Sequence, residues 1–216
     1  MRNSFFPVVT VLGFAVALFS VAFLVPLTYA FITDEPTVNA FATGFLVTFS
    51  VGVGSHLVTR KFKRELQPRD GFLLVSMVWA GLPAFSTIPM MIFFPDLSLT
   101  DAYFEMVSAL TTTGATVLTG LDGMPASINI WRSLLAWMGG MGILVLAVAI
   151  LPLLGVGGSQ VFKAETPGPM KDSKLTPRIT ETAKSLYLVY FVLSLACAIS
   201  YKLAGMTWLD AFMHSG

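Results

Sequence analysis

Five stretches of this chain are uncharged and mainly apolar: Phe5 to Thr33, Val38 to Val58, Phe72 to Phe94, Ser133 to Gly157 and Ser185 to Tyr201. Each lies near the ~20 residues that a helix needs to cross ~30 Å of hydrocarbon. The pattern therefore predicts five membrane helices. The first run ends near a small-residue site, Thr28-Tyr29-Ala30, that superficially resembles a signal-peptide cleavage point, but it is far longer than a signal core of ~7–15 residues and reads as a retained helix.

The pattern breaks between the third and fourth runs. The stretch PDLSLTDAYFEMVSALTTTGATVLTGLDGMPASINIW is too long for a tight turn, and its second half is too polar to span. Ser98 followed by Asp101 matches the [ST]-x-x-[DE] start of a helix, predicted to run over 98–110, about 12 residues or ~18 Å at 1.5 Å per residue. Such a helix reaches only part-way through a bilayer. The next six residues, Thr111 to Thr116 (TTTGAT), must then return as non-helical backbone, tolerated at membrane depth only inside protein or beside a water-filled cavity.

Composition agrees with a membrane chain: 55% of the 216 residues are hydrophobic and 12% charged, against ~25% charged in soluble domains. Mean hydropathy is +0.78. The net charge of +1 points to no nucleic-acid partner. Where the charges fall says more. Arg60, Lys61, Lys63, Arg64 and Arg69 come after the second run, and Lys163, Lys171, Lys174, Arg178 and Lys184 after the fourth. By the positive-inside rule both loops, and the N-terminus, are cytoplasmic. Residues 95–131 carry Asp96, Asp101, Glu105 and Asp122 but no basic residue, and lie outside with the Asp34-Glu35-Pro36 turn. Arg132 and Lys202 fall at outer helix ends, against the rule, and are expected to snorkel to the interface.

This topology gives the threonines their chemistry. A short helix entering from outside points its negative C-terminal dipole end and unpaired carbonyls toward the membrane centre. The carbonyls and hydroxyls of Thr111, Thr112, Thr113, Gly114, Ala115 and Thr116 could then replace the water around a cation. Gly114 suits a backbone that turns successive carbonyls to one axis. No acidic side chain lies within the six residues, so selectivity would rest on dipoles, as suits a weakly hydrated monovalent ion. Taken alone, TTTGAT reads more readily as a polar external turn with no role toward ions; the flanking arrangement reverses this in favour of the ion path.

A shift of 109 residues sets Thr207, Asp210, Ala211 and Phe212 on Ser98, Asp101, Ala102 and Tyr103. The chain thus begins a second unit of helix, short helix, helix, and ends before a second Thr-Gly segment. One such segment cannot close a ring around an ion, so several chains, or a longer four-repeat protein, are expected.

SALTTTGAT, WRSLLAWMGGMGILVLAVAILPLLGVGG and AETPGPMKDSKLTPRITETAKSLYLVYF together resemble the N-terminal part of the TrkH family, membrane subunits of bacterial Trk potassium-uptake systems, in the superfamily with KtrB and plant HKT transporters. The resemblance covers essentially the whole chain. It implies an all-α integral membrane protein of the bacterial cell inner membrane: two N-terminal helices and a basic loop (1–70), a first potassium-channel-like pore repeat (71–157: helix 72–94, pore helix 98–110, filter 111–116, helix 133–157), a cytoplasmic linker (158–184) and an incomplete second repeat (185–216). It also implies potassium as transported ligand, bound at Thr111, Thr112, Thr113 and Gly114 with Ala115 and Thr116 on the outer side, and no organic cofactor. Expected partners are membrane lipid, a second copy in a homodimer, and a cytoplasmic nucleotide-binding TrkA-like ring. Channel-like transport and symport with sodium or protons both remain open.

Enzymatic classes find no support: there is no H-E-x-x-H, P-loop or G-x-S-x-G. The single cysteine, Cys197, can form no intrachain disulfide. Gly139 to Gly142 (GGMG) are expected to let a helix approach closely, Pro83 and Pro89 to kink the third helix, and His56 to make a headgroup or interhelix contact. From another class, a non-transporting scaffold recruiting a soluble partner through residues 158–184 remains the alternative.

Overall fold

The structure, a computed structural model, describes residues 5–62, 67–150 and 175–215. Its regular elements, among those residues, are all helical. The chain divides into two compact units, Met1–Leu135 and Ala136–Gly216, and each is taken by itself.

The first apolar run folds as α1 (Phe6–Ser20) and α2 (Leu24–Ile32), joined by a 3-10 turn at Val21–Phe23. The break has a local cause: Pro26 has no N–H to donate back to Ala22, and the Ser20 hydroxyl donates to the Ala17 carbonyl at 2.6 Å, so the α-pattern lapses there. The whole segment Phe6–Ile32 still suffices to cross a membrane, as do α3 (Val38–Thr59), α4 (Pro68–Phe93) and the apolar part of a later helix, Glu181–Leu203.

Helix α4 begins earlier than its apolar run. Pro68 occupies its first turn, where a missing N–H costs nothing, and the Asp70 carboxylate accepts the Gln67 N–H at 2.8 Å. It stops at Phe93, before Phe94-Pro95. Both Pro83 and Pro89 lie inside it. Next come the short α5 (Leu99–Leu110) and α6 (Ala126–Ile150). Residues 151–157 of the fourth run lie outside the described residues.

Two kinds of contact hold the first unit. Helix α1 packs along α3 at glycines: a Cβ on Gly13 would fall 2.8 Å from the His56 nitrogen, and one on Gly52 would fall 2.8 Å from Ala17 Cα and 2.9 Å from the Gly13 carbonyl. The close approach lets Thr10 Oγ1 donate to Thr59 Oγ1 at 2.8 Å and places His56 Nδ1 3.0 Å from the Thr10 carbonyl, the interhelix role expected of His56. Deeper in, Trp131 of α6 is fully buried among Phe19, Phe23 and Phe41, with centroids 6.0, 4.3 and 6.1 Å away. Its indole N–H donates to the Ser86 carbonyl of α4 at 3.2 Å.

In the second unit, α7 (Leu175–Leu203) precedes α8 (Trp208–His214). Residues 175–184, expected as linker, are helical and continue into the fifth run; 158–174 lie outside the described residues. Gly140 faces Tyr190, whose hydroxyl oxygen would stand 2.6 Å from an added Cβ, and Trp137 Nε1 donates to Ser194 Oγ at 3.0 Å. The Gly139–Gly142 stretch thus serves close packing at Gly140. Lys202 ends α7 with its ammonium on the Met206 carbonyl and over the Trp208 ring.

Candidate functional site

Helix α5 is fixed at its start by neighbours in sequence. The Ser98 hydroxyl accepts the Asp101 N–H at 3.1 Å and donates to the Asp101 carboxylate at 2.7 Å, which fills an orphan donor and places a negative charge on the positive end of the helix. Thr207 and Asp210 repeat the same pair of bonds at the start of α8, at 3.1 and 2.6 Å. Buried Ala102 and Met106 turn one face of α5 inward, and the Tyr103 hydroxyl donates to the Ala80 carbonyl of α4 at 3.0 Å.

The C-terminal end of α5 is where the threonines begin. Thr113 N–H bonds the Ser108 carbonyl at 2.9 Å and Thr112 N–H the Ala109 carbonyl at 3.0 Å, the paired bonds of a Schellman ending. The left-handed position of that motif usually belongs to glycine. Here Thr112 holds it, at φ 56. Gly114 comes next at φ 73, while Thr111 stands at φ −85 and Thr113 outside the positive region. Thr111 Oγ1 donates to the Val107 carbonyl and lies 2.8 Å from Thr113 Oγ1. Among the described residues no donor reaches the carbonyls of Thr111, Thr112, Thr113 or Gly114, and residues 112–117 are exposed within their unit.

Beyond Gly114 the backbone is tied down again. Ser108 Oγ donates to the Ala115 carbonyl at 2.6 Å. Glu105, one turn earlier on α5 and only 1% exposed, accepts the Thr116 hydroxyl on both carboxylate oxygens (3.0 and 2.9 Å) and the Val117 N–H on Oε2 at 3.1 Å. Its charge is met by Arg132 of α6, whose Nη2 and Nε reach Oε1 at 2.6 and 2.7 Å. The snorkelling expected of Arg132 is therefore corrected: its side chain is 19% exposed and turns inward to a buried carboxylate, because such a carboxylate without a countercharge would be costly.

The start of α6 carries a second long-range contact. Glu35, expected only as part of an outer turn, caps that helix by accepting the Ala126 and Ser127 N–H groups at 3.0 and 3.1 Å. Thr37 and Ser127 hydroxyls lie 2.6 Å apart beside it.

The sequence singles out Thr111 to Thr116, and the structure holds these six residues in one non-helical segment that follows α5. The sequence does not single out Glu105, Ser108, Arg132 or Glu35 as parts of the arrangement. One signal was available for Glu105: a lone carboxylate in the middle of a largely apolar helix demands a partner. Among the described residues no group of three His, Cys, Asp or Glu side chains is arranged to hold a metal ion. Any cation here would meet backbone and hydroxyl oxygens.

Long apolar helices with a capped short helix between them define the class: an all-α integral membrane protein. The family model described as TrkH, cation transport protein, matches residues 37–215. The Trk system potassium uptake protein TrkH of Vibrio parahaemolyticus is 49% identical over 209 residues, covering 96% of this chain and 43% of that protein. TrkH of Escherichia coli K12 is 48% identical over 206 residues (95% and 43%), and TrkG of the same organism 42% over 217 residues (99% and 44%). A crystal structure of the potassium transporter TrkH from Vibrio parahaemolyticus superposes with a TM-score of 0.83 at 44% identity, covering 98% of this chain and 42% of that one. The chain belongs to the TrkH family of cation transport proteins. It spans about 43% of the length of the curated relatives it matches.

Proposed function

We propose that this chain supplies part of the ion path of a potassium-uptake transporter in the bacterial inner membrane. The carbonyls of Thr111, Thr112, Thr113 and Gly114 replace water around a potassium ion, with Ala115 and Thr116 on the outer side. The observation that carries this is the backbone itself: four successive carbonyls that no donor among the described residues reaches, between two tethered ends, with φ changing sign from Thr111 to Thr112 and again at Gly114. Alternation of hand lines up successive peptide groups on one side of a short segment. A β-branched residue at positive φ costs about 1–3 kcal/mol, and a strained Thr112 in an exposed segment fits a role in the path better than a plain turn. The names of the relatives, Trk system potassium uptake proteins, agree in class.

On this reading Thr111–Thr116 is one of four such segments around a single path, the first pore repeat comprises residues 71–157, and 185–216 open the second. A homodimer and a cytoplasmic TrkA-like ring, docking near 158–184, are the partners. The N-terminus is cytoplasmic.

Accessibility tests the path directly. With Cys197 replaced by serine in the full-length protein, Thr112→Cys should react with a small thiol reagent from outside, and potassium should protect it where sodium protects less. Free labelling indifferent to potassium would favour the scaffold reading and end this one.

A further inference from the structure

No donor among the described residues reaches the carbonyls of residues 111–114, and apart from the Thr111–Thr113 hydroxyl contact the bonds that hold their geometry lie at the two ends of the segment. At the end nearer α5 this is the Schellman turn. At the far end it is a row of two side chains on one face of α5: Ser108 holds Ala115, and Glu105 holds Thr116 and Val117. Each oxygen of the Glu105 carboxylate has its own work. Oε1 meets both nitrogens of the Arg132 fork, while Oε2 takes the Val117 N–H and the shorter of the two Thr116 contacts. Charge-assisted bonds of this kind are stronger and more directional than neutral ones, and a satisfied network centred on a buried carboxylate makes a stiff support.

We infer that Glu105 is a positioning residue for the ion-selective segment. It fixes the return strand from behind at Thr116 and Val117, with Arg132 as its obligatory countercharge. The inference rests on the reading of Thr111–Thr116 as the ion path. It goes further in assigning discrimination between ions to a side chain that never touches one. The physical reason is that a carbonyl set discriminates between cations of different size only while its spacing is held. Without Glu105 the far end is held by Ser108 at Ala115 alone, and a segment held that loosely relaxes around the smaller ion. Loss of the Glu105 charge has a second consequence: Arg132 becomes an unbalanced cation behind the path and lowers its attraction for any cation.

The test uses the full-length protein in lipid vesicles, with rubidium uptake and its competition by sodium as the readout and folded protein measured in parallel. Glu105→Gln keeps the size of the side chain and removes its charge. It should lower the preference for potassium-like ions over sodium about ten-fold, the scale of one charge-assisted bond. Thr116→Val removes one tether and leaves the ion pair, so it should lower the preference less. Tyr103→Phe, which loses the α4 anchor on another face of the helix, should lower stability and leave the preference unchanged. Gly114→Ser probes the path itself. If Gly114→Ser relaxes the preference while Glu105→Gln and Thr116→Val do not, the positioning role is overturned and the path reading stands. If none of the three alters the preference, both fall. If Glu105→Gln fails to fold, Thr116→Val decides: an unchanged preference overturns the inference.

Discussion

At the seam between α1 and α3, close contact comes from taking atoms away: Gly13 and Gly52 let two backbones meet where any side chain would collide. At the seam between α5 and its return strand, contact is made by adding polar groups: Glu105, Ser108 and Thr116, with Arg132 as countercharge. Both bring backbone to within a few ångströms of backbone in a largely apolar chain. They differ in what they leave free. The glycine seam brings the two helices into direct backbone contact, the kind of packing expected where lipid offers no hydrophobic drive for helix association. The polar seam binds the strand at its ends and leaves the carbonyls between them open.

Three substitutions sharpen this contrast, in descending size. Gly52→Leu drives a side chain into the Ala17 backbone, so that the two helices must move apart, and should destabilise the protein by about 3 kcal/mol or more. Thermal unfolding in detergent measures it, and wild-type stability would mean that α1 and α3 meet differently. Glu35→Ala strips two backbone donors at the start of α6 of their acceptor and should cost about 1–2 kcal/mol. The loss should appear as faster hydrogen exchange at Ala126 and Ser127; unchanged protection there would show that water caps this helix equally well. Thr112→Gly has the opposite sign. It relieves the left-handed backbone at φ 56 and should stabilise by about 1 kcal/mol. A fall in melting temperature instead would show that the threonine side chain contributes more than its backbone costs.

How much of the fold and of the candidate site was legible in the chain depends on the range of each interaction. The Ser98–Asp101 cap lies within three residues, so it was legible, and so was its echo at Thr207–Asp210. The break in the first helix rests on Pro26 and Ser20, yet the run reads as uninterrupted because apolarity does not distinguish α from 3-10 turns. The starts of α4 and α6 lie earlier than the apolar pattern sets them, at Pro68 and Ala126 rather than at 72 and 133. Hydropathy marks where a helix enters lipid and misses the polar first turns fixed by Pro68, Asp70 and Glu35.

By itself the sequence determined the all-helical membrane class, the position of the short helix and its cap, and the polar segment Thr111–Thr116 that comes after it. These depend on composition, on runs of apolar residues and on side chains bonding to their own near backbone. Tertiary structure alone decided that Arg132 turns inward to Glu105 across 27 positions and that Glu35 caps a helix starting 91 positions later. A buried charge carries no mark of its partner in the chain. Its cost is offset only by whatever opposite charge or free N–H the fold brings to it, and that is settled by packing, not by order along the sequence.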